Sequence, residues 1–158
     1  MDFLEKIKDI ITKFTTSKIT LAIAESCTGG YISNMFTNIS GASKVFERGI
    51  ICYSNESKVA LLNVDPESIT QHGAVSETVA KQLSNNIRVF SNVDIGIGIT
   101  GIAGPTGGTP EKPVGLVYVG ISTIDETFVE KYHFNVDRIT FKTKILEKIL
   151  LLLQNYIK

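Results

Sequence analysis

The chain has 158 residues, 43% of them hydrophobic and 20% charged, and sixteen basic residues balance sixteen acidic ones. These proportions suit one hydrophobic core and exclude a disordered chain, while the missing basic excess argues against nucleic acid as a partner. The longest unbroken apolar run, Ile149 to Leu153, falls far short of the ~20 residues that span a bilayer, so no membrane partner is expected.

The first residues, with Asp2, Glu5 and Lys6, do not read as a secretion leader, so the expected setting is the cytoplasm. Cys27 and Cys52 are too few for a disulfide framework and read as small buried residues.

Phe3, Leu4, Ile7, Ile10, Ile11 and Phe14 recur at helical spacing and predict an amphipathic helix over 3–14. A buried strand is expected at 19–24, then a glycine-punctuated loop, Glu25-Ser26-Cys27-Thr28-Gly29-Gly30, and a helix over 31–39. A second strand fits 49–53, followed by a helix over 56–62 and a short helix opened by Asp65-Pro66. Ser76 can cap a helix over 77–89. Residues 93–99 alternate glycine with aliphatics and predict a central strand closely approached by another backbone.

A loop rich in glycine and proline spans 100–113, after which strands at 114–122 and 127–134 can pair as a hairpin. The final helix, 138–157, carries so many leucines that it must be deeply buried or face another subunit, which makes a homo-oligomer the expectation. This order predicts one α/β domain over 1–158, a three-layer α/β/α sandwich around a mixed, mainly parallel sheet. Ligands of such sheets collect beyond the carboxyl ends of the strands, where both glycine-rich loops should lie.

His72 and His133 stand alone, without H-E-x-x-H, and no G-x-S-x-G elbow or Gly-Lys-Ser/Thr phosphate loop occurs. Metal and cofactor sites are therefore not expected. Ser26 suits two readings, a cap for the following helix or a nucleophile beside the amides of Thr28, Gly29 and Gly30. A serine needs a base, and Lys58 could serve if burial lowered its pKa; otherwise it is a solvated helix lysine. Ser43 is a loop hydroxyl that either bonds its own backbone or relays a proton. Arg138 stands where the helix macrodipole disfavours a cation, which fits an anion contact or a pairing with Asp137.

Several segments occur together and in order over roughly residues 20–120: Ala24 to Gly30, Phe46 to Gly49, Tyr53 to Lys58, His72 to Ser76, Thr100 to Gly108 and Lys112 to Gly115. They resemble the C-terminal domain of the competence/damage-inducible protein CinA, a family that includes nicotinamide-nucleotide amidase. The resemblance implies hydrolysis of nicotinamide mononucleotide to nicotinic acid mononucleotide and ammonia, with no metal or cofactor. It implies Ser26 as nucleophile, Lys58 as general base, Ser43 as bridging hydroxyl and Tyr53 as a shaping residue. Gly101, Ala103, Gly104, Gly107 and Gly108 would line the nucleotide pocket, with Arg138 on the phosphate. Val136-Asp137-Arg138 departs from the family's common Gly-Asp-Arg, and Lys142 replaces a frequent second arginine. Larger relatives carry an additional N-terminal domain, so the standalone form is expected. A non-catalytic pyridine-nucleotide-binding or regulatory module would keep the same loops but leave Lys58 with an ordinary pKa.

Overall fold

A computed structural model describes residues 2–157, so both ends of the expected 1–158 domain lie outside the described residues. Five strands, β1 (Leu21–Glu25), β2 (Phe46–Ile51), β3 (Ile95–Gly101), β4 (Leu116–Ser122) and β5 (Thr127–His133), form one sheet in the order β2-β1-β3-β4-β5. β1 pairs parallel with both β2 and β3, whereas β3–β4 and β4–β5 are antiparallel. Only β4 is therefore reversed, and the sheet is mixed and mainly parallel as expected.

Helices cover both faces. The apolar stripes of α1 (Phe3–Ser17), α2 (Tyr31–Thr37) and α6 (Arg138–Gln154) bury against Leu21, Ile23, Ile97, Ile99, Val117 and Val119 on one side. Residues of α3 (Asn55–Leu62), α5 (Glu77–Ser91) and Cys52 close over Ala22 and Ala24 on the other, with Ile69 of α4 (Pro66–His72) packed at the margin. β3 shows why two layers suffice around one sheet. Its isoleucines fill the first face, while Gly96 and Gly98 turn a bare backbone to α5, and a Cβ at either would run into the main chain of Ser84. The close backbone approach expected from the Gly–aliphatic alternation is made by this helix.

The helix starts follow the sequence. Ser76 Oγ accepts the Val79 amide at 3.2 Å, Asp65 accepts that of Glu67, and Asp137 accepts those of Ile139 and Thr140. Other bounds move. β2 begins at Phe46 rather than 49, because an edge strand with one wet face alternates Phe46, Arg48 and Ile50 against exposed Glu47 and Gly49. α6 ends at Gln154, and its Ile145, Leu146, Ile149, Leu150 and Leu153 are buried within the chain, while Leu151 is exposed. No helix among the described residues is long and apolar enough to cross a membrane.

The chain leaves β1 through α2 on one face, and returns from β2 to β3 through α3, α4 and α5 on the other. The opposed connections open a crevice between the carboxyl ends of β1 and β3, the place where doubly wound sheets hold ligands.

Candidate active site

Ser26 follows the last residue of β1, and its amide donates to Ile99 O of β3 at 3.2 Å. This places the serine at that crevice. Lys58 lies one turn into α3, whose cap is Ser54 accepting the Ser57 amide. The turn after β2 brings the lysine inward, where it is only 2% exposed. Its Nζ meets Ser26 Oγ at 3.0 Å, Cys52 O at 3.0 Å and Tyr53 O at 3.1 Å. No carboxylate is among these contacts. Desolvation is the main influence and lowers the Lys58 pKa, with weaker opposing effects from Cys52, Cys27 and Tyr53. A poised, uncharged amine is what the chemistry of a serine nucleophile requires.

A cavity of about 330 Å³ opens beside this pair, within the ~300–1,000 Å³ that small-molecule sites occupy. Its lining comes from the turn after β1 (Ser26, Cys27), the entry to α3 (Tyr53, Asn55, Lys58), the segment before α5 (Ala74, Val75), the end of β3 and its loop (Thr100, Gly101, Ala103, Gly104, Gly107), and Arg138. Arg138 brings a positive charge to this lining and no carboxylate stands on it among the described residues, which favours an anionic ligand. A wider groove of about 550 Å³ between α3 and α5 is lined by Leu61, Val89, Phe90 and asparagines, without a titratable or nucleophilic group. The Ser26–Lys58 pair stands at the smaller cavity.

Arg138 opens α6, but Asp137 beside it is committed to capping that helix. The guanidinium instead reaches across the cavity to Gly104 O at 2.9 Å and the Tyr53 hydroxyl at 3.0 Å. Tyr53 thus serves the pair through its peptide oxygen, while its ring is exposed at the rim. Among the described residues, the amides of Ala103, Gly104, Thr106 and Gly107 have no protein acceptor, so they remain available to an oxyanion such as a phosphate.

Three expectations need correction. Ser43 is exposed in the short 3-10 turn before β2. The Leu21–Phe46 register puts it at the amino end of the sheet, a strand length away at roughly 3.3 Å per residue, so no hydroxyl bridges a pair already in contact. Thr28, Gly29 and Gly30 stand behind Ser26 rather than on the cavity wall. The Gly29 amide donates to Ser26 O and the Gly30 amide to Glu25 Oε2, which leaves neither for an oxyanion. Gly108 packs against Val114 and does not line the cavity.

Cys27 was read only as a buried residue, yet it lines the cavity next to Ser26. Burial pushes its thiol up to about 12, which makes it inert as a nucleophile. Neither histidine reaches the site: His72 ends α4, and His133 Nε2 pairs with Val114 O at 2.9 Å. The residue missed altogether is Glu25. It is fully buried and accepts the amides of Gly30, Ile32 and Ser33 and the Ser33 hydroxyl. An acid closing an otherwise apolar strand was the available signal.

A family model described as the CinA C-terminal domain matches residues 4–157. A protein of Thermoanaerobacter sp. (strain X514), provisionally named competence-damage inducible, is 45% identical over 154 residues, covering 97% of this chain and 37% of that relative. The CinA-like protein of Kosmotoga olearia is 47% identical over 135 residues, 85% of this chain and 33% of its own length. The chain thus spans little more than a third of such relatives. Among solved structures, the competence/damage inducible protein CihA from Agrobacterium tumefaciens superposes with a TM-score of 0.94 at 34% identity, covering 98% of this chain and 95% of that one.

Proposed function

This chain belongs to the CinA C-terminal domain family, and from that premise we propose that it is a nicotinamide-nucleotide amidase. It would convert nicotinamide mononucleotide to nicotinic acid mononucleotide and ammonia, in the cytoplasm, as part of pyridine-nucleotide recycling. The observation that carries this reading is the 3.0 Å contact between Ser26 Oγ and the buried Lys58 amine, beside a cavity lined by the Arg138 guanidinium.

An uncharged lysine has two N–H bonds and one lone pair. With the carbonyls of Cys52 and Tyr53 accepting the two N–H bonds, the lone pair is left for the Ser26 O–H. Lys58 takes that proton as Ser26 Oγ bonds to the carboxamide carbon, and the carbonyl oxygen becomes an oxyanion. The Cys27 amide, beside Ser26 on the cavity wall, is the backbone donor assigned to it in this reading. Lys58 then passes its proton to the amide nitrogen, the C–N bond breaks and ammonia leaves. A water deprotonated by Lys58 attacks the acyl ester, restoring Ser26 and releasing the acid. Meanwhile the phosphate tail is gripped by the free amides of the Gly101–Gly107 loop and by Arg138, which exchanges Gly104 O and Tyr53 OH for the anion.

A coupled ammonia assay with nicotinamide mononucleotide tests the reading. Ser26→Ala should reduce turnover by at least about 10³-fold while the acid product still binds within about threefold of its original affinity. Undiminished turnover in that variant would remove Ser26 from the chemistry.

A further inference from the structure

We infer that Glu25 is the positioning residue of the active serine, holding the Ser26 hydroxyl against Lys58 by tying both segments of the site to the end of β1. The inference rests on the reading of Ser26 and Lys58 as the reacting pair.

The argument begins with α2. A helix start leaves its first amides without partners, and a side chain at the cap position ordinarily takes one or two. Here that position is Gly30, which has no side chain, and Gly29 and Gly30 both lie at positive φ, +61° and +93°. The cap comes instead from the residue before the nucleophile. Glu25 Oε2 accepts the amides of Gly30 at 3.0 Å and Ile32 at 3.1 Å, and Oε1 accepts the Ser33 amide at 2.7 Å and the Ser33 hydroxyl at 2.6 Å. The carboxylate thereby folds residues 26–29 back into a closed turn, secured by the Gly29 amide on Ser26 O.

The main chain of the same residue holds the other partner. Glu25 O accepts the Cys52 amide at 2.8 Å and faces Cys52 Sγ at 3.6 Å. Cys52 and Tyr53 in turn supply the two carbonyls that orient Lys58 Nζ. One residue therefore anchors the turn carrying the hydroxyl and the segment steering the amine. None of the ion pairs among the described residues involves Glu25. A fully buried carboxylate without a cation is costly unless every lone pair finds a donor, and these four donors all belong to the element that follows Ser26. Its charge is thus matched to the geometry of the turn.

Glu25→Gln keeps the size but can present a carbonyl oxygen to only one of the two donor pairs; the NH2 faces the other. On the full chain, this variant should lower kcat for ammonia release by about 10–100-fold, the scale of a sub-ångström misplacement, with KM within about threefold. Phosphonylation of Ser26 by a fluorophosphonate probe, in which Oγ bonds to phosphorus and fluoride leaves, should slow in parallel, while the pH dependence of kcat/KM, set by Lys58, stays in place. Ser33→Ala, which removes only a hydroxyl donor, should fold normally and show the same pattern at about threefold; it decides the question if Glu25→Gln does not fold. A lower Tm with unchanged kcat and labelling rate per folded molecule would reduce Glu25 to a stabilising residue and overturn the inference. If Ser26→Ala retains turnover, the reading of the site is what fails. If Ser26→Ala is inactive while Glu25→Gln and Ser33→Ala match the unsubstituted protein, only the role of Glu25 falls.

Discussion

The two glycine-rich loops meet at one cavity but use their amides in opposite ways. In the first, after β1, the amides of Gly29 and Gly30 are taken by Ser26 O and Glu25, so its glycines serve to fold a turn behind Ser26. In the second, after β3, the amides of Ala103, Gly104, Thr106 and Gly107 keep their donors free among the described residues, so its glycines bring bare backbone to the cavity. Glycine content alone does not separate a loop that shapes from a loop that grips. The partners of the N–H groups do.

This division predicts that substitutions on the first side alter kcat and those on the second alter KM. The largest effect belongs to Lys58→Met, which should cut turnover by at least about 10³-fold, in the range removed with a general base. The same variant should be more stable at neutral pH by about 1 kcal/mol, since a buried, unpaired amine is exchanged for a thioether chain. The sign follows from the lowered pKa of Lys58. Its folded value lies below the unfolded ~10.4, so between the two the unfolded chain binds more protons and stability rises with pH. The stability gap between the variant and the unsubstituted chain should therefore close as pH approaches that upper value in thermal melts. The kcat/KM of the unsubstituted enzyme should rise with pH along a limb centred below the ordinary lysine range.

Arg138→Ala comes next. Loss of a charge-assisted contact of ~1.5–3 kcal/mol should raise KM for the mononucleotide about 10–100-fold with kcat nearly kept. The same variant should handle a riboside lacking the phosphate no differently from the parent. A matched fall in kcat would erase the distinction between the loops.

The smallest and finest test compares two alanines at equally positive φ, +93° at Gly30 and +92° at Gly107. Each should cost about 1–2 kcal/mol of backbone strain. Gly30→Ala should lower kcat several-fold, whereas Gly107→Ala, whose Cβ meets nothing closer than Ile102 at 3.8 Å, should instead raise KM several-fold.

Much of the fold was legible from periodicity and caps, because the helices bury one stripe each and start at Asp65, Ser76 and Asp137. The alternating glycines of β3 even announced the close helix. β2 was misplaced at its start because an edge strand carries Glu47 on its wet face and a half-buried Arg48 on the other, so the stretch resembles a loop. At the site, Ser26, Lys58 and Arg138 could be named, but their relation depends on parallel register, which spacing along the chain does not encode. Ser43 shows the cost: the resemblance implied a hydroxyl bridging Ser26 and Lys58, and the Leu21–Phe46 pairing put it at the other end of the sheet. Glu25 escaped notice because an acid after four apolar residues reads as a strand reaching water, when its solvent is in fact the start of α2.

The seating of α5 on Gly96 and Gly98 also determines how wide the cavity can be. The segment leading into that helix includes Ala74 and Val75 on the cavity lining, and Thr100 Oγ1 at the end of β3 is bonded to Ala74 O at 2.8 Å. At Gly96 and Gly98 helix backbone rests on strand backbone with no side chain between, so that spacing behaves as a fixed gauge. The Thr100 hydroxyl carries it to Ala74, and the adjustable side of the cavity is the half that long side chains build, Tyr53 and Arg138.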